Sequence, residues 1–358
     1  MKSNGQDKPT VAVTMGDPAG IGAEVIVKAL ADAERRQRAD FIVYGVNEAL
    51  VDAADRAGIT PFWWRVGAGG DARRALEQRG VVVVDFDRFT EETARRRSRP
   101  APSAEGGEAS LEFISAAIEA AQLPAGEAPG RADAVVTAPI SKTSWRLAGL
   151  KRYPGHTELF ADRTRTKRYA MMFVAPRLRV VLATIHLPLM EIRNTLTIGR
   201  VFEPIDLGDR ACRESLGVAQ PRIAVCGLNP HASEGGLFGD EEERLIRPAI
   251  AMAQEAGIDA KGPFPADTIF HHAVEGRYDL VVAMYHDQGL IPIKLLAFDS
   301  AVNCTIGLPF VRTSPDHGTA FDIAGENRAH PGSMAASLDL AVEMTERRRA
   351  FAEAANRA

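Results

Sequence analysis

Little in this 358-residue chain points to disulfides, nucleic acid or membrane. Cysteine is scarce: Cys212, Cys226 and Cys304 are the whole set, odd in number and without a C-x-x-C pair. That argues against a disulfide scaffold and a thiolate zinc site, and points to reduced thiols in a cytoplasmic protein. A basic excess is missing too. Lys and Arg number 43 against 47 Asp and Glu, a formal charge of −4, so no nucleic-acid partner is expected. No apolar run approaches the roughly 18 residues of a membrane span, so no membrane partner is expected either. Residues 1–9 are polar and lack an apolar h-region, which argues against a secretory leader. Neither G-x-G-x-x-G nor G-x-x-x-x-G-K-[ST] occurs. A dinucleotide, if bound, is therefore bound without the usual Rossmann turn. Internal repeats and long low-complexity tracts are also missing.

What is present is a normal globular balance, 46% hydrophobic and 25% charged, enough for a sizeable core. The length favours two domains. Short, continuous, Val- and Ile-rich runs at 11–15, 41–46, 81–86, 134–136, 170–174, 180–184, 223–228 and 280–284 read as strands buried on both faces. Helical patterns alternate with them at 20–35, 106–121, 241–255 and from about 334 to 356, the last with Ser333 as its cap. This alternation predicts an α/β protein with mostly parallel sheets flanked by helices. One connection differs: Ala175-Pro176-Arg177-Leu178 is too short for a crossover helix. The runs on either side of it are therefore expected to form an antiparallel hairpin, making one sheet mixed. The basic stretch 95–102 reads as a solvated loop or linker.

The residues that carry chemistry gather at strand ends. Gly16-Asp17-Pro18-Ala19-Gly20-Ile21-Gly22 joins the first strand to a helix, as an anion cradle or simply as a tight turn. Three apolar runs each lead into a histidine just past the carboxyl end: His186, His231 and His286. That edge is where open α/β sheets bind ligands. A single such histidine is more often structural, but three in equivalent positions favour a divalent metal site with an open position. His271 and His272 fall in a helical stretch and His330 in a loop, which makes them weaker candidates. Thr157 can cap the helix after Tyr153-Pro154-Gly155-His156, and His156 can meet an anion. Lys294 sits in an apolar stretch, where a cation needs a counter-charge such as a substrate phosphate or carboxylate.

Several blocks together resemble the 4-hydroxythreonine-4-phosphate dehydrogenase (PdxA) family over about residues 10 to 345. They are 14–22, 153–158, 186–189, 227–232 with 234–236, 262–263, 265–268, 283–289 and 307–314. The resemblance implies a two-domain fold like the isocitrate and isopropylmalate dehydrogenases. The expected division is 10–135 plus 285–358 for a discontinuous, cofactor-side domain. Residues 136–284 form the second, with metal, substrate and dimer contacts. It further implies a homodimer with the active site near the subunit interface.

Implied metal ligands are His186, His231 and His286, one of them from the partner subunit, holding Zn, Co or Mg. Implied substrate contacts are His156, Thr157, Lys294, Asn303 and Arg312. The segment 316–325 looks like a cofactor loop for NAD or NADP, with Gly318 admitting the adenosine and Asp322 accepting from the ribose. Asn327 is a further candidate. Asp267 and Asp287, with Lys294, are candidates for proton transfer or for support of the ligands. The implied reaction oxidises 4-phosphohydroxy-L-threonine at C3 and then decarboxylates it, in pyridoxal 5′-phosphate biosynthesis. Threonate or erythronate 4-phosphate is an alternative substrate, and a cis-dihydrodiol carboxylate a more distant one. The phosphate-binding residues favour a phosphorylated molecule.

Overall fold

The computed structural model of the chain describes residues 8–97, 99–124 and 131–357. Residues 1–7, on which most of the leader expectation falls, and Ser98 of the 95–102 segment lie outside the described residues. The strands are β1 (Thr10–Thr14), β2 (Asp40–Gly45), β3 (Trp64–Gly67), β4 (Val81–Asp85), β5 (Ala134–Thr137), β6 (Ala170–Ala175), β7 (Leu178–Leu182), β8 (Ile223–Cys226), β9 (Ala260–Phe264), β10 (Leu280–Ala283), β11 (Val302–Ile306) and β12 (Val311–Pro315). The helices are α1 (Gly22–Leu30), α2 (Ala33–Arg38), α3 (Asn47–Ala57), α4 (Ala72–Arg79), α5 (Thr90–Arg97), α6 (Ala104–Gln122), α7 (Lys142–Leu147), α8 (His156–Arg163), α9 (Ile192–Thr195), α10 (Ile198–Ser215), α11 (Arg247–Glu255), α12 (Ala266–Val274), α13 (His286–Ala297) and α14 (Gly332–Arg357).

The chain divides into two units. Unit 1 runs to Arg165 and takes in Pro309–Thr345; unit 2 is Thr166–Leu308 with the chain from Glu346 on. In unit 1 the strand order is β3-β4-β2-β1-β5-β12, and every pairing is parallel. Val11, Ala12 and Val13 of the interior strand β1 are fully buried. A parallel strand covered on both faces has no need of polar alternation, which explains the unbroken apolar run. In unit 2 the order is β11-β6-β7-β10-β8-β9. Strands β6 and β7 form the expected antiparallel hairpin, with Ala175 opposite Leu178. Strands β7, β10, β8 and β9 are parallel to one another, and β11 pairs antiparallel with β6. The core of unit 2 packs Phe173, Val180 and Val281 from the sheet against Ile269 of α12 and Ile293 of α13.

Local chemistry moved several element boundaries. The expected helix over 20–35 splits, because the Asp32 carboxylate accepts from the backbone N–H groups of Glu34 and Arg35 and starts α2 anew. Ser333 is not a cap: it lies inside α14, and its hydroxyl accepts from the Asp316 N–H. Gly155, not Thr157, occupies the cap position of α8, and Thr157 is buried in the first turn. Arg95 to Arg97 are not loop but the end of α5, where Arg96 donates to Glu92 at 2.6 Å. The 241–255 helix opens with a π turn over Glu242–Ile246 before α11.

The glycine turn after β1 is tight rather than open. Gly16 has φ +73°, and a Cβ there would lie 2.1 Å from the Pro139 carbonyl oxygen. At Gly22 a Cβ would lie 1.9 Å from the Met15 carbonyl oxygen. Both positions need glycine for internal packing.

Candidate active site

Sheet order explains how the three strand-end histidines come to one edge. Strands β7, β10 and β8 are immediate parallel neighbours, so their carboxyl ends, and the histidines beyond them, share one side of unit 2. The His186 and His286 rings lie 5.8 Å apart between centroids, tilted by 37°. His231 instead sits against Phe238, with centroids 6.2 Å apart. Among the described residues of the single chain, the three do not gather within ligand spacing. The group that does is His271, His272 and Glu275. That group lies on one helix, is largely exposed, and its carboxylate is engaged by His271 at 3.1 Å and by Arg277 at 3.1 Å.

The backbone around the histidines is unusual. His186 has φ +28°, and His231, Ala232, Ser233 and Glu234 all have positive φ. Non-glycine residues held there cost about 1–3 kcal/mol each and persist only where the surroundings enforce them. His286 opens α13, and its Nδ1 lies 2.7 Å from the Asp287 carboxylate. A carboxylate can only accept, so Nδ1 is the donor in this contact, and Nε2 is the ring nitrogen that faces away from Asp287 and is open to a ligand. Asp287 is otherwise exposed, as is Asp267 in the first turn of α12. Lys294, half-buried on α13, places Nζ 5.5 Å from the Phe298 ring centroid. Asn303 on β11 has a buried side-chain oxygen with no hydrogen-bond partner, an acceptor that still has its bond to make.

Unit 1 holds a second constellation. Arg312, the second residue of β12, is 2% exposed. Its guanidinium donates to the Thr137 hydroxyl at 2.7 Å and stacks 5.5 Å above the Phe160 ring. His156 opens α8, edge-on to Trp145 with centroids 5.9 Å apart. Its Nε2 is buried without a hydrogen-bond partner. Burial, then the positive charges of Arg312 and Lys142, hold the His156 imidazole well below its ordinary pKa. A buried guanidinium, a half-buried imidazole and a nearby lysine therefore form a region that favours negative charge. Thr137 and Lys142 were not singled out from the sequence as substrate-site residues, although both flank the strand end 134–137; that position was the available signal.

The segment 316–327 is tied to the glycine turn and to neighbouring helices. Ile21 N–H donates to the Thr319 carbonyl, the Asn327 side chain donates to the Arg56 carbonyl, and Arg56 donates back to the Gly325 carbonyl. Beside it lies a shallow recess with an enclosed volume of only about 20 Å³, lined by Pro18, Gly20, Ala53, Arg56, Gly325 and Asn327, among others. Gly318 and Asp322 are exposed, and a Cβ on Gly318 would meet nothing within 4 Å. The internal packing does not require glycine at 318, which leaves that backbone open to a ligand.

The thiols take no part. All three are buried, and burial pushes Cys212 up to about 12 and Cys226 upward as well, so neither is a thiolate near neutral pH.

A mostly parallel sheet whose carboxyl edge carries imidazoles, in a chain that also buries an arginine within a strand, has the framework of an α/β enzyme. Comparison with known proteins narrows this class. Residues 37–341 match the family model described as pyridoxal phosphate biosynthetic protein PdxA. The chain is 46% identical to a 4-hydroxythreonine-4-phosphate dehydrogenase of Geobacter metallireducens, over 94% of this chain and 96% of that protein. It is 43% identical to a D-threonate 4-phosphate dehydrogenase of Salmonella typhimurium, over 94% and 98%. A crystal structure of 4-hydroxythreonine-4-phosphate dehydrogenase from Klebsiella pneumoniae aligns with TM-score 0.78 and 41% identity, over 94% of this chain and all of that one. The chain belongs to the PdxA family.

Proposed function

We propose that this protein is an NAD(P)-linked dehydrogenase of a phosphorylated four-carbon hydroxy acid, with 4-phosphohydroxy-L-threonine as the leading substrate. The observation that carries the reading is the pairing of buried Arg312 with His156, whose buried Nε2 has no hydrogen-bond partner, in surroundings that favour negative charge. Arg312, His156 and Thr157 bind anionic oxygens of the substrate, the guanidinium by charge-assisted hydrogen bonds. Asn303 contributes its unsatisfied oxygen as an acceptor for a substrate hydroxyl or amine, and Lys294 a further charge.

His186, His286 and His231 are the proposed ligands of a divalent ion, Zn, Co or Mg. Their neutral nitrogen donors suit such an ion, and the Asp287 contact leaves His286 Nε2 available. A metal at these imidazoles supplies Lewis acidity at a substrate oxygen, and bound NAD or NADP supplies the hydride acceptor. The exposed backbone at Gly318, with the exposed side chains of Asp322 and Asn327, is the proposed adenosine site. Oxidation at C3 gives a β-keto acid, and loss of its carboxylate as CO2 gives 3-amino-2-oxopropyl phosphate. Asp267 and Lys294 are the proposed groups for the accompanying proton transfers. Asp287 is better placed to hold His286 than to move a substrate proton.

A homodimer completes the reading, with one histidine supplied by the partner subunit. Two observations support it. Among the described residues the three histidines of one chain do not gather within ligand spacing, and Ile291, Leu295 and Phe298, 65–85% exposed, line one side of α13 and its C-terminal end. Apolar side chains three and four residues apart share a helix face, and such a face marks an interface. No helix among the described residues is long and apolar enough to cross a membrane, and we place the enzyme in the cytoplasm.

A second reading replaces the amino acid by D-threonate 4-phosphate, which the Salmonella typhimurium relative favours. The test is reduced-nicotinamide absorbance with each phosphorylated acid, NAD or NADP, and added divalent ion. Turnover of 4-phosphohydroxy-L-threonine ahead of D-threonate 4-phosphate is expected. The reverse order selects the second reading, and no turnover of any phosphorylated four-carbon acid overturns both.

A further inference from the structure

We propose that Thr184, Gln288 and Glu242 form a buried positioning frame that fixes the three histidine-bearing strand ends within each subunit, and so the placement of the histidines that each subunit brings to a metal centre and the affinity of that centre. The inference rests on the reading of His186, His231 and His286 as ligands.

The hydrogen bonds run continuously across the edge. Thr184, two residues before His186, donates its hydroxyl to the carbonyl of Met284 at 2.7 Å. Met284, two residues before His286, donates its N–H to Gln288 Oε1 at 2.7 Å. Gln288 Nε2 then donates to the Gly227 carbonyl at 2.9 Å, at the end of β8. One residue on, Leu228 and Asn229 both donate backbone N–H groups to Glu242 Oε1, at 2.8 and 2.7 Å. Asn229 Nδ2 also donates to Glu242 Oε2 at 2.9 Å, two residues before His231. The three side chains thus join the ends of β7, β10 and β8 in the order of the sheet.

Burial gives the frame its stiffness. Thr184 is 4% exposed, Gln288 8% and Glu242 0%, so water does not replace these bonds easily and each broken bond leaves a buried group unsatisfied. Beyond a strand end the backbone has no ladder partner, and these side chains supply one. The Glu242 contacts also lie at the root of the loop in which four consecutive non-glycine residues, His231 to Glu234, adopt positive φ. A conformation so costly requires anchoring. Glu242 itself begins the π turn ahead of α11, and such widened turns recur at functional sites. None of the three side chains needs to touch the metal. They act through the histidines, as supporting groups do at other metal centres.

The test uses the full-length protein loaded with Co2+, reading the visible absorption of the bound ion and its dissociation constant, with Zn2+ as competitor. The variants are Gln288→Glu, Glu242→Gln and Thr184→Val. Gln288→Glu keeps the acceptor for Met284 and loses the donor to Gly227. His231→Ala tests the ligand reading, and Ile250→Val in the core of α11 serves as a stability control. Frame variants are expected to bind Co2+ about 10- to 100-fold more weakly and to show a changed spectrum at saturating ion. The control should lower the melting temperature without moving either readout.

Unchanged affinity and spectrum in the frame variants, or the same change in Ile250→Val, overturns the frame. If His231→Ala binds like the unmodified protein, the ligand reading itself fails. If His231→Ala loses the ion while the frame variants keep it, only the frame fails. Should Gln288→Glu or Glu242→Gln not fold, the near-isosteric Thr184→Val carries the same two readouts.

Discussion

Replacing His156 with glutamine should remove a specific part of the acid sensitivity of folding. In the folded chain the imidazole is held well below its ordinary pKa, first by burial and then by the charges of Arg312 and Lys142. In the unfolded chain it returns to about 6.5. Below that pH the unfolded state takes up a proton that the folded state refuses, so stability falls as pH falls. The His156 contribution is complete above the unfolded pKa. It is lost progressively below it, until the folded pKa is reached. One proton of difference gives a limiting slope of about 1.4 kcal/mol per pH unit. Urea unfolding of the unmodified protein and of His156→Gln, from about pH 8 to about pH 5, reads this directly. Carboxylates whose pKa is raised by burial, such as Asp17 and Asp209, are common to both proteins and cancel in the difference. The two stability curves should run parallel above pH about 6.5 and diverge below it, the unmodified protein falling faster. Curves parallel throughout would mean that His156 titrates normally, and the buried, cation-flanked setting argued for it would be wrong. A saturating phosphorylated substrate should reverse the trend, because an anion beside the imidazole favours its protonated form.

Arg312→Met should separate binding from folding. Loss of a charge-assisted contact to a buried anion costs about 2–5 kcal/mol, so kcat/KM should drop by roughly 30-fold or more. Stability should fall by only about 1–3 kcal/mol, the cost of leaving the buried Thr137 hydroxyl without its donor. A stability loss as large as that of a core truncation, with kcat/KM intact, would make Arg312 a structural residue. Asp287→Asn should weaken divalent-metal binding by about 10- to 100-fold while leaving the melting temperature nearly unchanged, because it disturbs only the orientation of His286. Equal metal affinity by titration calorimetry would remove Asp287 from that role. Leu295→Glu, at a position 85% exposed, should shift sedimentation from dimer to monomer and abolish turnover; a monomeric but fully active unmodified protein refutes the dimer.

Much of the architecture could be read from the sequence because buried parallel strands announce themselves. The runs that became β1, β2, β4, β8 and β10 carry only apolar side chains through their centres. Two strands escaped for the opposite reason. β11 and β12 contain Asn303 and Arg312, and a polar residue in a short run hides it from any hydrophobic pattern. The edge strand β3 escaped because three of its four residues are exposed, and β9 because its Lys261, Gly262 and Pro263 break the apolar run. The histidines were visible individually, each after an apolar run. Their adjacency was not, since β10 enters between β7 and β8 only through a crossover that spacing cannot reveal.

The places where local rules break are therefore informative in themselves. A charged residue within a buried strand, four successive left-handed residues after β8 and a π turn at Glu242 each cost stability. A chain consistent at every other level would be expected to avoid them unless function requires them. Two of the three lie in unit 2, around His231, and the third is Arg312 in unit 1. The breaks thus coincide with residues proposed above for metal and anion binding. The strain and the burial, unlike the role given to Arg312, owe nothing to similarity to relatives, because they are properties of this chain alone. It also gives an order for experiment. Arg312 tests the anion site through catalysis, and Gln288 and Glu242 test the metal centre through affinity and spectrum, so failure of one reading leaves the other standing.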